Sequence, residues 1–249
     1  NVARNTLVVL RDPVPFVATV TNRAAATGGV DAESLENVKA RGPLVLRSRD
    51  RAVTTHDYEL LAREAAPEAR RVHCVEADGD SPLVRVLVVP ALGEHSGSED
   101  DGLRFASLKP RQDTLDRIRD CLDARRCVGA RVLVEPPFYQ GVTVAARLRA
   151  DPRTAAAAVR ERALRALYGY LDPIGGGPQE CGWPFGRRVS SGDIHAVLQR
   201  VADVHLVEDV LLFAADPGTG DRGDPVQRIE LPAHGLVFSY AHQVRVLPA

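Results

Sequence analysis

The chain has 249 residues, enough for about two packed units of common domain size. Hydrophobic residues make up 45% of it, and 32 Lys and Arg face 33 Asp and Glu for a net charge of -1. A sizeable core is therefore expected, and no basic excess is available to neutralise a phosphate backbone, so nucleic acid is not an expected partner.

No uncharged apolar run reaches the roughly 18 residues of a membrane helix, and residues 1–20 carry Arg4, Arg11 and Asp12 where a signal peptide is apolar. No membrane insertion is expected. Methionine is absent even at position 1, so the chain reads as a piece of a longer protein. The widely spaced Cys74, Cys121, Cys127 and Cys181 fit reduced thiols in an intracellular compartment.

Residues 6–10 and 14–21 are rich in β-branched and apolar types and read as two short strands of a β region. After the break at Thr27-Gly28-Gly29, Asp31 is placed to cap a helix through Lys39, which Gly42-Pro43 stops. Residues 44–53 carry Arg47, Arg49 and Arg51 at every second position, which puts all three guanidinium groups on one side if the backbone is extended.

Thr54 or Thr55 starts the next helix, with Tyr58, Leu61, Ala62 and Ala65 as its buried stripe and Pro67 as its end. Strands at 71–77 and 83–90 form a hairpin across Asp78-Gly79-Asp80, and the acidic stretch 93–102 reads as a surface loop. A helix from about 112 to 124, with Leu115, Ile118 and Leu122 inward, and a strand at 130–134 complete an α-β-β-α-β unit.

A second unit begins with a strand at 140–150, whose Val142, Val144, Ala146 and Leu148 alternate onto one face. Asp151 and Pro152 read as the cap and first position of a helix with Val159, Ala163, Ala166, Leu167 and Tyr170 inward, ended by Gly175-Gly176-Gly177. Ser191 is expected to cap a helix carrying Ile194, Val197, Leu198 and Val201, followed by a strand at 204–213. Residues 227–231 and 236–247 read as a C-terminal β-hairpin. The expected fold is α+β: two consecutive small α/β sandwich units of βαβ-type order, at 51–137 and 138–215. Residues 1–50 would form a β region and linker, and 216–249 a loop and hairpin.

No catalytic set emerges. Cys121 and Cys127 are spaced too far apart for a zinc knuckle, even with His73-Cys74 imagined as completing the set. Cys181 with His195 lacks the cationic surroundings of a nucleophile, and the Gly175-Gly176-Gly177-Pro178 run lacks the Lys and Ser/Thr of a phosphate loop. Glu99-Asp100-Asp101 has no calcium-ligand spacing. Neither a metal nor a cofactor is expected, and the chain is not expected to be an enzyme.

Two features remain as candidate interface residues. One is the Arg47, Arg49, Arg51 set, whose planar donor forks suit carboxylates of a partner or of the same chain. The other is the Gly182-Trp183-Pro184-Phe185-Gly186-Arg187 turn, holding Trp183, Phe185 and Arg187 as either a core anchor or an interface hot spot.

The run Thr27-Gly28-Gly29-Val30-Asp31-Ala32-Glu33-Ser34-Leu35, the stretch 41–59 from Arg41-Gly42-Pro43 through Arg47-Ser48-Arg49-Asp50-Arg51 to Tyr58-Glu59, and the Trp183 turn with the helix and valine-rich strand after it resemble the baseplate-J-like wedge proteins of contractile phage tails and related contractile injection systems. The resemblance runs from about residue 6 to 247, is weakest at 93–107 and 214–226, and departs at the amino end, where family members carry a large additional portion. It implies a structural wedge subunit without catalytic residues, set in a symmetric ring around a central spike and hub. Its partners would be other wedge copies and the hub and sheath-initiating proteins, in a cytoplasmic phage-tail-like particle. The alternative from the residues is a small-ligand-binding regulatory α/β module.

Overall fold

The computed structural model describes residues 2–26, 29, 32–75, 81–91 and 105–248. The sequence-predicted cap Asp31, the turn at 78–80 and the acidic stretch 93–102 lie outside them.

Residues 2–26 contain no strand, contrary to the two predicted there. Asn22 closes the segment at its base: its Oδ1 accepts the N–H groups of Thr6 and Leu7 at 3.0 and 2.9 Å, and its Nδ2 donates to Ala3 and Ala24 carbonyls at 2.9 and 2.8 Å. Leu7, Val8, Val9, Val14 and Phe16 are exposed. A strand-forming composition is a preference for a pleated, half-covered surface, and among the described residues no neighbouring strand provides one.

Helix α1 spans Leu35–Ser48, capped by Ser34, and runs through Gly42 and Pro43 where a stop was expected. Proline removes one N–H but keeps a helical φ, and Arg41 in the same turn ties α1 to Glu33 at 3.0 Å and to Glu64 of the next helix at 2.7 Å. The chain leaves α1 through two left-handed residues, Arg49 and Asp50.

Helix α2, Thr55–Ala65, starts at Thr54 in a full capping box with Asp57, as its sequence predicts. Strands β1, Ala69–Val75, and β2, Leu83–Pro90, pair antiparallel; helix α3, Gln112–Asp123, then leads to β3, Arg131–Glu135, which pairs parallel to β2. The sheet order is β1-β2-β3. Tyr58, Leu61, Leu115, Ile118 and Leu122 of the helices pack on Val72, Cys74, Val86, Val88 and Val134 of the sheet. Val89, on the opposite face of β2, belongs to a second core, so this sheet is covered on both sides.

That second core rests on β4, Phe138–Ala150. Helix α4, Ala156–Tyr170, starts five residues after Asp151 and has no side-chain cap. Asp151 instead closes a tight turn, accepting the Arg153 N–H at 2.9 Å, so the predicted cap is corrected. After the short β5, Val189–Ser190, helix α5, Ser191–Gln199, is capped by Ser190 with Asp193, one residue before the predicted cap. Strand β6, Val204–Ala215, pairs antiparallel to β4, and β7, Arg222–Val226, to β6. Val142, Val144, Ala146 and Leu148 do share the face that meets Ala163, Leu167, Ile194 and Leu198.

The predicted C-terminal hairpin does not form. Strand β8, Arg228–Ile229, pairs with β5, whereas β9, Gly235–Ser239, and β10, Gln243–Pro248, both run parallel along the other edge of β4. A 13-residue strand leaves a long row of backbone groups to satisfy, and one terminal segment covers it in two pieces. The α+β class stands, with five helices and strands in three sheets among the described residues.

Candidate functional site

The Trp183 turn lies where the two cores meet. Helix α4 ends at Tyr170, and Gly176 and Gly177 fold the chain back so that Gly177 N–H reaches the Tyr170 carbonyl at 2.7 Å and Gly182 N–H the Gly176 carbonyl at 2.8 Å. Only glycine fits position 176, because a Cβ there would lie 2.2 Å from the Gly169 oxygen. The reversal delivers Trp183 into the second core with no exposed surface. Its indole N–H donates to the Arg187 carbonyl at 2.9 Å, and Tyr170 meets the ring edge-on at 5.4 Å.

Arg71 of β1 joins the two units. Its guanidinium donates to the carbonyls of Pro173 and Trp183, the latter at 2.9 Å, and lies 4.7 Å over the Phe185 ring. Burial pulls its pKa down from the ordinary arginine value, yet an arginine stays charged at neutral pH, so two carbonyl oxygens and an aromatic face take the place of water. Gly182, at φ +95°, opens the space: a Cβ there would sit 2.6 Å from Arg71 Nη1 and 2.7 Å from the Pro173 oxygen.

His73, two residues along the same face of β1, stacks on Phe185 at 4.5 Å, and its Nδ1 is 3.0 Å from Glu59 of α2. Burial alone would raise the Glu59 pKa, but hydrogen bonds from His73 and from the Cys74 backbone N–H outweigh it and hold the carboxyl below its usual value. The junction thus runs Glu59, His73, Phe185, Arg71, Trp183.

Of the predicted interface residues, Trp183, Phe185 and Arg187 come together in this intramolecular junction; Arg187 lies 5.6 Å over the Trp183 ring and 3.5 Å from Asp193. Arg47, Arg49 and Arg51 lie elsewhere. Arg47 is in the last turn of α1 and Arg49 is its left-handed cap, so the backbone is not extended there and the aligned ladder is corrected. All three are exposed, and their side chains make no hydrogen bond or ion pair among the described residues. Sequence reasoning missed Arg71, His73 and Glu59. The one available signal was the alternation of Arg71 and His73 with Val72 and Cys74, which marks a β1 face too polar for an ordinary core.

An open apolar groove of about 670 Å³ runs between Phe105, Pro136, Pro137, Phe138 and Pro217. Its polar lining is sparse for a ligand site: the Asp216 carboxylate is already spent on the N–H groups of Gly218 and Thr219 at 2.8 and 2.7 Å. Among the described residues no three or more His, Cys, Asp or Glu converge as metal donors. Cys121 donates toward the Leu61 carbonyl and Cys127 toward that of Ala52, in separate settings. Ser239 Oγ lies 2.7 Å from His242 Nε2, but Nδ1 accepts the Val144 N–H, so the neutral ring carries its proton on Nε2 and cannot take one from the serine.

Among the described residues no helix is long and apolar enough to cross a membrane. No protein-family model matches the sequence, nor does any curated protein. Among solved structures, the chain is similar to one in the cryo-EM structure of the anti-feeding prophage baseplate, reconstructed with 6-fold symmetry. The TM-score is 0.58 at 20% identity, covering 93% of this chain and 47% of that one. The two share a fold, and this chain spans about half the length of its structural neighbour.

Proposed function

We propose that this protein is a structural component of the baseplate of a contractile injection system, a wedge subunit of the baseplate-J-like type repeated in a ring around a central spike and hub. The observation that carries this reading is the fold match to a baseplate chain across 93% of the present sequence. Two of the three segments that resemble the wedge family in sequence fall at structurally decisive places: 41–59 spans the end of α1 and the start of α2, and 182–187 forms the junction of the cores.

The exposed features fit such a role. Arg47, Arg49 and Arg51 present three exposed guanidinium groups around the end of α1, without a partner among the described residues, and Leu7, Val8, Val9 and Phe16 present apolar surface. In an assembly, neighbouring subunits cover surfaces of both kinds, charge directing the encounter and apolar area supplying affinity. The protein acts by position and rigidity, with no chemical turnover of its own.

The test is to tag the chain in its native host and purify contractile particles. The tag is expected at the baseplate end, in a ring of equivalent copies, and deletion of the gene is expected to leave no complete baseplates. Normal particles lacking the tagged chain would overturn the reading.

A further inference from the structure

The edge of β4 is paired with β9 at residues 138–142 and with β10 at residues 145–150, so the register skips Thr143 and Val144. Tyr240, just past β9, still donates its N–H to the Val142 carbonyl at 3.0 Å. No strand residue accepts the Val144 N–H on this edge. His242 does so with its side chain, Nδ1 lying 3.1 Å from the Val144 nitrogen.

The imidazole is held on every side. Ser239 Oγ, at the end of β9, accepts the Nε2 proton at 2.7 Å; Tyr168 of α4 lies against the ring at 4.7 Å, and its hydroxyl accepts the His242 backbone N–H at 3.4 Å. The groups that act on the ring are therefore Val144 of β4, Ser239 of β9, Tyr168 of α4 and, through its charge, Arg222 of β7. None of them is an anion. A second proton would have to sit on Nδ1, turning it into a donor that faces the Val144 N–H, so the bond that fills the gap cannot survive it.

We propose that His242 is an acid-released latch on the C-terminal strand: the neutral ring closes the gap in the β4 edge, and the protonated ring leaves it, so that residues 239–248 separate from β4 while β4 stays paired to β6. The idea is independent of the baseplate reading, since it concerns one strand edge within the chain.

Burial first, and the Arg222 charge second, push the His242 pKa down to about 3, against the ordinary value near 6.5 that a released ring would recover. The folded value is the depressed one, so the latch has its full strength above about pH 6.5 and weakens as the pH falls toward 3, by up to about tenfold per unit. At pH 5 the closed state should be disfavoured by roughly thirtyfold relative to neutral pH.

Hydrogen exchange of the intact protein at about pH 7.5 and pH 5, corrected for the intrinsic chemical rate, reads this directly. Protection across 239–248 is expected to drop by about thirtyfold, while β6 changes less than about threefold. In His242→Gln, whose side-chain oxygen accepts the Val144 N–H without titrating, the difference between the two pH values should vanish. Equal losses in both strands, no loss at all, or the same pH dependence in His242→Gln would overturn the latch. Should that variant fail to fold, nitrogen NMR of the wild-type ring decides: a neutral ring protonated at Nε2 while β10 is paired is expected, and a charged ring in a still-protected strand at pH 5 would refute the proposal.

Discussion

The junction around Trp183 and the amino-terminal stretch through α1 have similar local chemistry, arginines beside aromatic and apolar side chains, and opposite fates. At the junction every group is spent: Arg71 on two carbonyls and Phe185, Trp183 on Arg187 and Tyr170, His73 on Glu59 and Phe185. In the amino-terminal stretch, Phe16 is fully exposed, Leu7 to Leu10 are exposed, and Arg47, Arg49 and Arg51 have no side-chain partner among the described residues. Residue type did not decide which is which. A guanidinium contributes to folding where the backbone brings acceptors to it and a neighbour excludes water; at the surface it stays hydrated and available.

Trp183→Ala should open the widest gap between the two regions. It removes a fully buried indole and should cost roughly 3 to 5 kcal/mol in denaturant unfolding. A loss below about 1 kcal/mol would move Trp183 out of the core. Gly182→Ala comes next: its φ of +95° and the 2.6 Å approach to Arg71 Nη1 combine backbone strain with overpacking, roughly 2 to 4 kcal/mol together. If Arg71→Ala in the same chain recovers none of that loss, the crowding is not at the arginine.

A double-mutant cycle between Arg71→Ala and Phe185→Ala sharpens the junction further, with an expected coupling of about 0.5 to 2 kcal/mol; additivity would show that the stacked geometry carries no energy. At the small end, replacing Arg47, Arg49 and Arg51 together by Gln should leave the unfolding midpoint of the isolated protein nearly unchanged. Incorporation into particles should weaken instead, already at moderate salt. Normal incorporation at moderate salt would remove these arginines from the interface.

The helices show what local pattern can reveal. Thr54 and Asp57 announce α2, and the stripes of α3 and α4 name their buried residues, because capping and the 3.6-residue period act within a few positions. The same logic failed where a local signal had a distant competitor. Gly42-Pro43 looked like a helix stop, yet α1 continues through it with Arg41 bridged to Glu64. The strand-like composition of residues 6–21 found no strand to pair with among the described residues. The candidate site was half legible: the glycine-flanked tryptophan stood out, whereas Arg71, 112 residues earlier than Trp183, gave no sign of its partner.

The sequence by itself determined the α+β class, the order of the main helices and strands from α2 to β6 and the inward faces of most helices, since period, caps and turn residues are properties of neighbouring positions. Only the tertiary structure decided that the last two strands run parallel on β4 instead of forming a hairpin, that Arg71 enters the space left open by Gly182, and that His242 fills a skipped register. Those choices depend on which backbone groups and cavities remain unsatisfied once distant segments have met, and no local pattern encodes that remainder.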